Sequence, residues 1–185
     1  QNVGSIVIMA MKLLTTNTES GDASSEFTSS IDSTYKLYIF SFYDINPATD
    51  GSHFLVNFST DGGSNYNMTK TTTTFLAYNE EDDGGRGLTY QTGFDVAQST
   101  ADHKLAVGVG NLADESCGGN LWLFNPSNTT YIKHFYSTFS STYLGNEAYQ
   151  RHTAGYINST DDIDAVIFKM DSGNMDGVIK LYGVG

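Results

Sequence analysis

Basic residues are scarce in this chain, and those present stand apart. Only nine of the 185 residues are Lys or Arg, no two of them are adjacent, and the formal net charge is −12. Binding nucleic acid through its phosphates takes clustered cations that release condensed counterions, so a nucleic-acid partner is not expected. The same acidic excess argues against anionic membrane surfaces. Cysteine is nearly missing. Cys117 stands alone, which excludes an intrachain disulfide framework, and no motif ties it to a His or Asn as a nucleophile. No apolar run approaches the ~20 residues of a membrane-spanning helix. The segment from Ile6 to Leu14 carries Lys12 and has no basic stretch before it, so it is not read as a secretory signal. Proline occurs only twice, and helical periodicity is hard to find.

What is abundant points to sheets. The chain has 12 Tyr, 11 Phe and 19 Gly, and Ser plus Thr exceed a fifth of it. Aromatic and β-branched residues favour pleated surfaces, and Gly, Asn, Asp and Ser favour the turns between them. A chain of this length buries about 70% of its unfolded surface as one domain, enough for a core without metal or disulfide. Apolar residues alternate at period two between turn signals. Candidate strands run from Ser5 to Leu14, Ser25 to Thr28, Tyr35 to Ile45, His53 to Ser59, Thr71 to Tyr78, Leu105 to Val109, Leu121 to Phe124, Thr130 to Phe139 and Thr153 to Ile157. A C-terminal hairpin follows, from Asp164 to Met170 and back from Val178 to Tyr182. The strand from Tyr35 to Ile45 is apolar on both faces, as in a central strand covered on both sides. Two windows, Asp95 to Thr100 and Gly145 to Arg151, suit a short helical turn, and Glu80 to Gly87 reads as an acidic turn. About nine to eleven short strands at this spacing fit an all-β, antiparallel β-sandwich of jelly-roll type. Residues 1–24 read as an N-terminal arm or edge strand for attachment and oligomer contacts, and residues 25–185 as a single β-sandwich domain. Such an arm suits strand addition to a neighbour's sheet edge.

Catalytic and metal motifs are thin. The run Glu80-Glu81-Asp82-Asp83 before Gly84-Gly85 offers oxygens for a hard cation, but it lacks the alternating spacing of an EF-hand loop. A solvated hairpin tip accounts for it, as a turn accounts for Asp161, Asp162 and Asp164. The acidic residues offer many carboxyl pairs and no distinguished one for glycoside hydrolysis. His53, His103, His134 and His152 share no metal-binding spacing. Gly108-Val109-Gly110 lacks the third glycine of a dinucleotide-binding turn. Triplets of the form N-x-[ST] at Asn57, Asn67, Asn128 and Asn158 are as frequent as this composition produces by chance. No catalytic, cofactor-binding or metal residue is therefore expected, and no enzymatic activity. The remaining signal is aromatic. Tyr90, Tyr131, Tyr136, Tyr143, Tyr149 and Tyr156, with Trp122, suit a subunit interface or a sugar-binding face, because each pairs a large apolar area with a polar tip.

Three stretches together carry a family likeness: Phe27 to Thr72, Leu123 to Phe135, and Ala154 to Val184, the last containing FKMDSGNMDGVIKLYG. They resemble virion structural proteins of tailed bacteriophages, mostly marine, of the head-decoration or tail-fibre-like kind. The resemblance covers nearly the whole chain after about residue 25, and the terminal motif is its most specific part. It implies a surface position on the virion, after assembly in the cytoplasm of a host bacterium. The leading expectation is a head decoration or cement protein whose partners are the major capsid protein, other virion proteins and further copies of itself as a homotrimer. The alternative is a trimeric tail-fibre or capsid-fibre tip that binds a host-surface glycan. The resemblance supplies no catalytic residues.

Overall fold

The structure is a computed structural model and describes residues 10–185. Every regular element in it is a β-strand, and all pairings are antiparallel. In chain order these are β1 (Met11–Asp22), β2 (Ser24–Phe27), β3 (Leu37–Pro47), β4 (Ser52–Ser59), β5 (Lys70–Glu80) and β6 (Arg86–Tyr90). They are followed by β7 (His103–Val109), β8 (Cys117–Phe124), β9 (Lys133–Tyr143), β10 (Glu147–Ile157), β11 (Ala165–Met170) and β12 (Met175–Val184).

The strands form an all-β sandwich of two unequal layers. The larger runs in the order β1-β12-β3-β8-β9-β10-β5-β6. The smaller runs β7-β4-β11-β2. A single residue pair, Val109 with Tyr143, joins β7 to β9 and ties the layers along one seam.

Alternation along each strand builds the core. Tyr38, Phe40 and Phe42 of β3, Phe54, Val56 and Phe58 of β4, and Phe168 of β11 point between the layers and are buried. The Phe168 ring lies 4.9 Å from that of Phe42, 5.1 Å from that of Phe40, and 6.0 Å from that of Phe54. Most of these contacts are edge-to-face, the arrangement the ring quadrupole favours. Cys117 is buried at the start of β8, and burial pushes its thiol far above the ordinary range, so it behaves as a small apolar residue.

Several expectations are corrected. Gly145 to Arg151 does not form a helical turn. From Glu147 onward the segment is β10, paired along its full length with β9 on one side and β5 on the other. Hydrogen bonds on both edges outweigh the helix propensity of Glu, Ala and Gln. Asp95 to Thr100 is not helical either. It is an extended loop held by Val96 N donating to Thr72 Oγ1 at 3.0 Å and Gln98 N donating to Thr71 Oγ1 at 3.0 Å. The acidic turn ends sooner than expected, because Arg86 to Tyr90 is strand β6 on the outer edge of the larger layer. β8 begins at Cys117 rather than Leu121, its glycines letting Gly119 lie against the β9 backbone at Thr138 and Phe139. Of the strand expected from Ser5 to Leu14, residues 5–9 lie outside the described residues, and Met11–Asp22 lies along β12 at a sheet edge.

Candidate functional site

The aromatic residues singled out from sequence divide between two surfaces. Trp122, Tyr136, Tyr156 and Tyr90 sit on the outer face of the larger layer. One row there reads Leu13, Tyr182, Ile39, Trp122, Tyr136, Ala154 and Thr73 across seven strands. Trp122 stacks on Tyr136 with ring centroids 4.6 Å apart. Two residues along the strands, Met11, Val184 and Leu37 align across β1, β12 and β3. Phe124, next to Leu37 on β8, shares an apolar depression with His134, Tyr136 and Tyr156. These two rows contain no Asp, Glu, Lys or Arg. The second face of β3, expected to be covered, is thus left open among the described residues, with Tyr43 exposed and Ile39 half-buried.

Tyr143 and Tyr149 belong elsewhere. They stack at 4.7 Å, nearly parallel, and line a cleft of about 290 Å³ on the opposite, inner face of the same layer. The cleft exists because the layers are unequal. At its His103 end β7, the last strand of the smaller layer, meets Thr72 of β5 and Thr153 of β10; at Leu76, Tyr149 and Arg151 the cleft opens between these strands, β7 and the loop carrying Gln91 and Phe94. The floor is Leu76, Tyr78, Tyr149 and Arg151, one wall is Val107 and Gly108, and the loop residues Gln91 and Phe94 form the other side. His53 stands at the rim, its Nδ1 accepting from Gly108 N at 2.9 Å. That bond places the neutral ring's proton on Nε2, which faces Asp171 Oδ2 at 4.0 Å.

Arg151 is the unusual member. It is 3% exposed, and neither terminal guanidinium nitrogen has a hydrogen-bond partner among the described residues. The Phe94 ring lies 5.0 Å from the guanidinium carbon, a cation–π contact that offers no acceptor oxygen. Burial draws its pKa down to about 10. Buried charges are ordinarily paired, and an unpaired one carries a large desolvation penalty.

Behind Arg151 the same inner faces stay polar. His103 is fully buried, with Thr72 Oγ1 at 3.3 Å from one ring nitrogen and Thr153 Oγ1 at 3.3 Å from the other. Burial, reinforced by Lys70, Arg151 and Lys104, lowers it to about 3, so it is neutral at pH 7. Lys70, also fully buried, donates to Asn57 Oδ1 at 2.8 Å and to the Met68 carbonyl at 3.0 Å, and burial lowers it to about 8. Asn57 therefore works inside the fold. It is 1% exposed, and its triplet is closed to glycosylation in the folded chain.

The remaining candidates do not converge. The Glu80 to Asp83 run is a surface turn in which Asp82 Oδ1 accepts from Gly84 N at 2.8 Å and Asp83 pairs with Arg86. Asp164 accepts from Gly62 N at 3.0 Å, and Ser159 Oγ caps the turn by accepting from Asp161 N at 3.0 Å. Among the described residues no group of three or more His, Cys, Asp or Glu is placed to hold a metal ion. His134 and His152 lie on the outer face, the latter stacked on Phe75 at 5.0 Å. Tyr131 is exposed, outside both surfaces.

Arg151 belongs to no cluster of cations and so does not stand out in the sequence. The available signal was a lone basic residue at an inward position of an alternating strand, between Tyr149 and Thr153. Gly108 adds a geometric constraint. Its φ is 60°, and a Cβ there would run into the Tyr143 ring. Gly108→Ala is expected to lower stability by about 1–3 kcal/mol and to separate Tyr143 from Tyr149, readable in thermal unfolding and near-UV circular dichroism. An unchanged melting temperature would show that the ring does not rest on this glycine.

Comparison with protein-family models, with curated proteins and with solved structures finds no match to this chain.

Proposed function

We propose that this protein is a structural component displayed in many copies on the surface of a tailed-bacteriophage virion, as a head decoration or cement protein. The observation that carries the reading is the open outer face of the larger layer. A chain with a net charge of −12 keeps two full rows of that face free of charged residues and furnishes them with Trp122, Tyr136, Phe124 and Ile39. Exposed apolar area of this kind marks protein contact surfaces. Keeping acidic residues out of these two rows suits packing of like copies without repulsion across the contact. The resemblance of residues 27–72, 123–135 and 154–184 to virion structural proteins supports the same role. Self-association as a trimer, contact with the major capsid protein, and a structural rather than catalytic duty belong to this reading.

Two measurements test it. In electron cryomicroscopy of purified particles, density for a 20.1 kDa domain repeating over the head shell is the expected result. Density on the tail would overturn the head position in favour of a fibre tip that binds a host-surface glycan, and absence from the particle would overturn both. In light scattering, the isolated protein is expected to be trimeric, and Tyr136→Glu to be monomeric at the same concentration with its fold intact. Burying one carboxylate at an apolar contact costs several kcal/mol, about a thousandfold or more in association. A wild-type protein that stays monomeric would remove the open face as the contact surface.

A further inference from the structure

The inner cleft lies on the opposite side of the larger layer from the association face, so it stays accessible whatever covers that face. It contains a cation with no counterion among the described residues, walls of aromatic rings, and room for a small molecule. We propose that this cleft binds a carboxylated pyranose, a sugar acid of the uronic class, with its carboxylate held by the Arg151 guanidinium. The proposal goes beyond the assembly role and does not rest on it.

Three observations fix the ligand's chemistry. The first is the guanidinium. Both terminal nitrogens of Arg151 are buried and unpartnered among the described residues, and the residue lines the cleft. A planar fork of N–H donors is matched by the two oxygens of one carboxylate, which accept two parallel hydrogen bonds. Among the described residues the chain offers Arg151 no carboxylate of its own: the ion pairs present involve His53, Arg86 and Lys169. Both nitrogens are closed off from solvent in the unliganded chain, so an acceptor from outside pairs the charge once the Phe94 ring over the guanidinium gives way.

The second is the size and lining. The cleft measures about 290 Å³, at the lower end of small-molecule sites, which suits a single sugar ring rather than a chain. Tyr143 and Tyr149 form one aromatic side and Phe94 another. Flat rings complement the C–H face of a pyranose, as they complement other flat apolar surfaces. The third is the polar rim. Gln91, Thr89 and His53 line the same cleft and supply donors and acceptors for ring hydroxyls. A simple aliphatic acid would use the guanidinium and leave these groups idle.

Arg151 is also expected to weaken the unliganded fold, because its charge is desolvated without a partner. Methionine has nearly the same reach, and Arg151→Met is therefore expected to melt at the same temperature as the wild type or higher. Stability gained where function is lost separates a ligand-binding arginine from a structural one.

The test is nuclear magnetic resonance titration of the full chain with D-glucuronate and with D-galacturonate, with D-glucose and inorganic phosphate as controls. Saturable shifts at Arg151, Tyr149 and Phe94 are expected with at least one uronate. The Arg151→Met variant should bind that sugar roughly tenfold or more weakly, and Arg151→Lys, which keeps the charge without the fork, should fall between. Three results would overturn the proposal: no shift with either uronate, equal shifts with glucose, or equal shifts with phosphate, which would reduce the cleft to a general anion trap. A clear drop in melting temperature for Arg151→Met with uronate binding retained would also overturn it, by making the arginine a packing residue.

Discussion

Replacing Phe168 by alanine is expected to cost about 3–5 kcal/mol. The side chain is fully buried on β11 and is the meeting point of the two layers. Its ring contacts Phe40 and Phe42 from the larger layer, Phe54 from the neighbouring strand, and Phe27, 6.1 Å away on β2. Truncation removes the transfer energy of the ring and leaves a void walled by rings that cannot collapse into it, since each is held by its own strand. With a domain stability of roughly 5–15 kcal/mol, one substitution removes a large share of the whole. In thermal unfolding this corresponds to a fall of roughly 6–20 °C for a chain of this size. Phe168→Leu, which keeps more of the volume, is expected to lose less than half as much. A loss below about 1 kcal/mol for the alanine variant would mean that the layers do not meet at this ring.

The second large effect is acid destabilisation through His103. Its folded pKa is near 3, against about 6.5 in the unfolded chain. Between these values the unfolded state binds a proton that the folded state refuses. Stability from this group is therefore fully present above about pH 6.5 and is lost progressively as pH falls toward 3. The full difference is on the order of 5 kcal/mol, at 1.36 kcal/mol per unit. Carboxylates contribute to acid unfolding as well: Asp61 and Asp32 are held below their ordinary range, chiefly by hydrogen bonds from Asn65 and Thr34. The clean quantity is thus the difference between wild type and His103→Gln. Glutamine keeps a polar group near Thr72 and Thr153 and removes the titration. It is expected to be about 1–3 kcal/mol less stable than wild type at pH 7 and to close that gap as urea unfolding is repeated at lower pH. Parallel stability curves from pH 7 to pH 4 would show that His103 is not desolvated.

Which parts of this molecule can be read from its sequence follows from where the side chains go. β3, β4 and the β11–β12 hairpin announce themselves because one face of each is aromatic or aliphatic and buried, and alternation is the direct imprint of that burial. β6 leaves no such imprint. All five of its residues are exposed, and it is a strand only because β5 offers it a hydrogen-bonding edge. The first half of β10 reads as helix because Glu147, Ala148 and Gln150 are good helix formers, while the partners that override them lie on β9 and β5. The cleft was half visible. Tyr143 and Tyr149 stand out as aromatic, but nothing local tells them from Tyr136, which faces the other way. Arg151 becomes conspicuous only when β7, β10 and the loop carrying Phe94 come together, and that meeting is a tertiary event.

The cleft beside β7 also bears on how this protein can change over generations. Side chains between two layers are constrained twice, once by their own strand and once by the layer opposite. Those lining the cleft face one edge strand and the loop carrying Gln91 and Phe94 instead of a full second layer. Substitutions at Arg151, Thr89 or Gln91 consequently leave the Phe168 core untouched, and removing the unpaired charge is expected to cost no stability at all. Such a platform lets the cleft side chains be exchanged by mutation while the packed core of the sandwich stays under purifying constraint. Divergence among related chains is therefore expected first at the cleft positions Thr89, Gln91 and Arg151, ahead of the buried inward positions Thr72, Thr74 and Thr153.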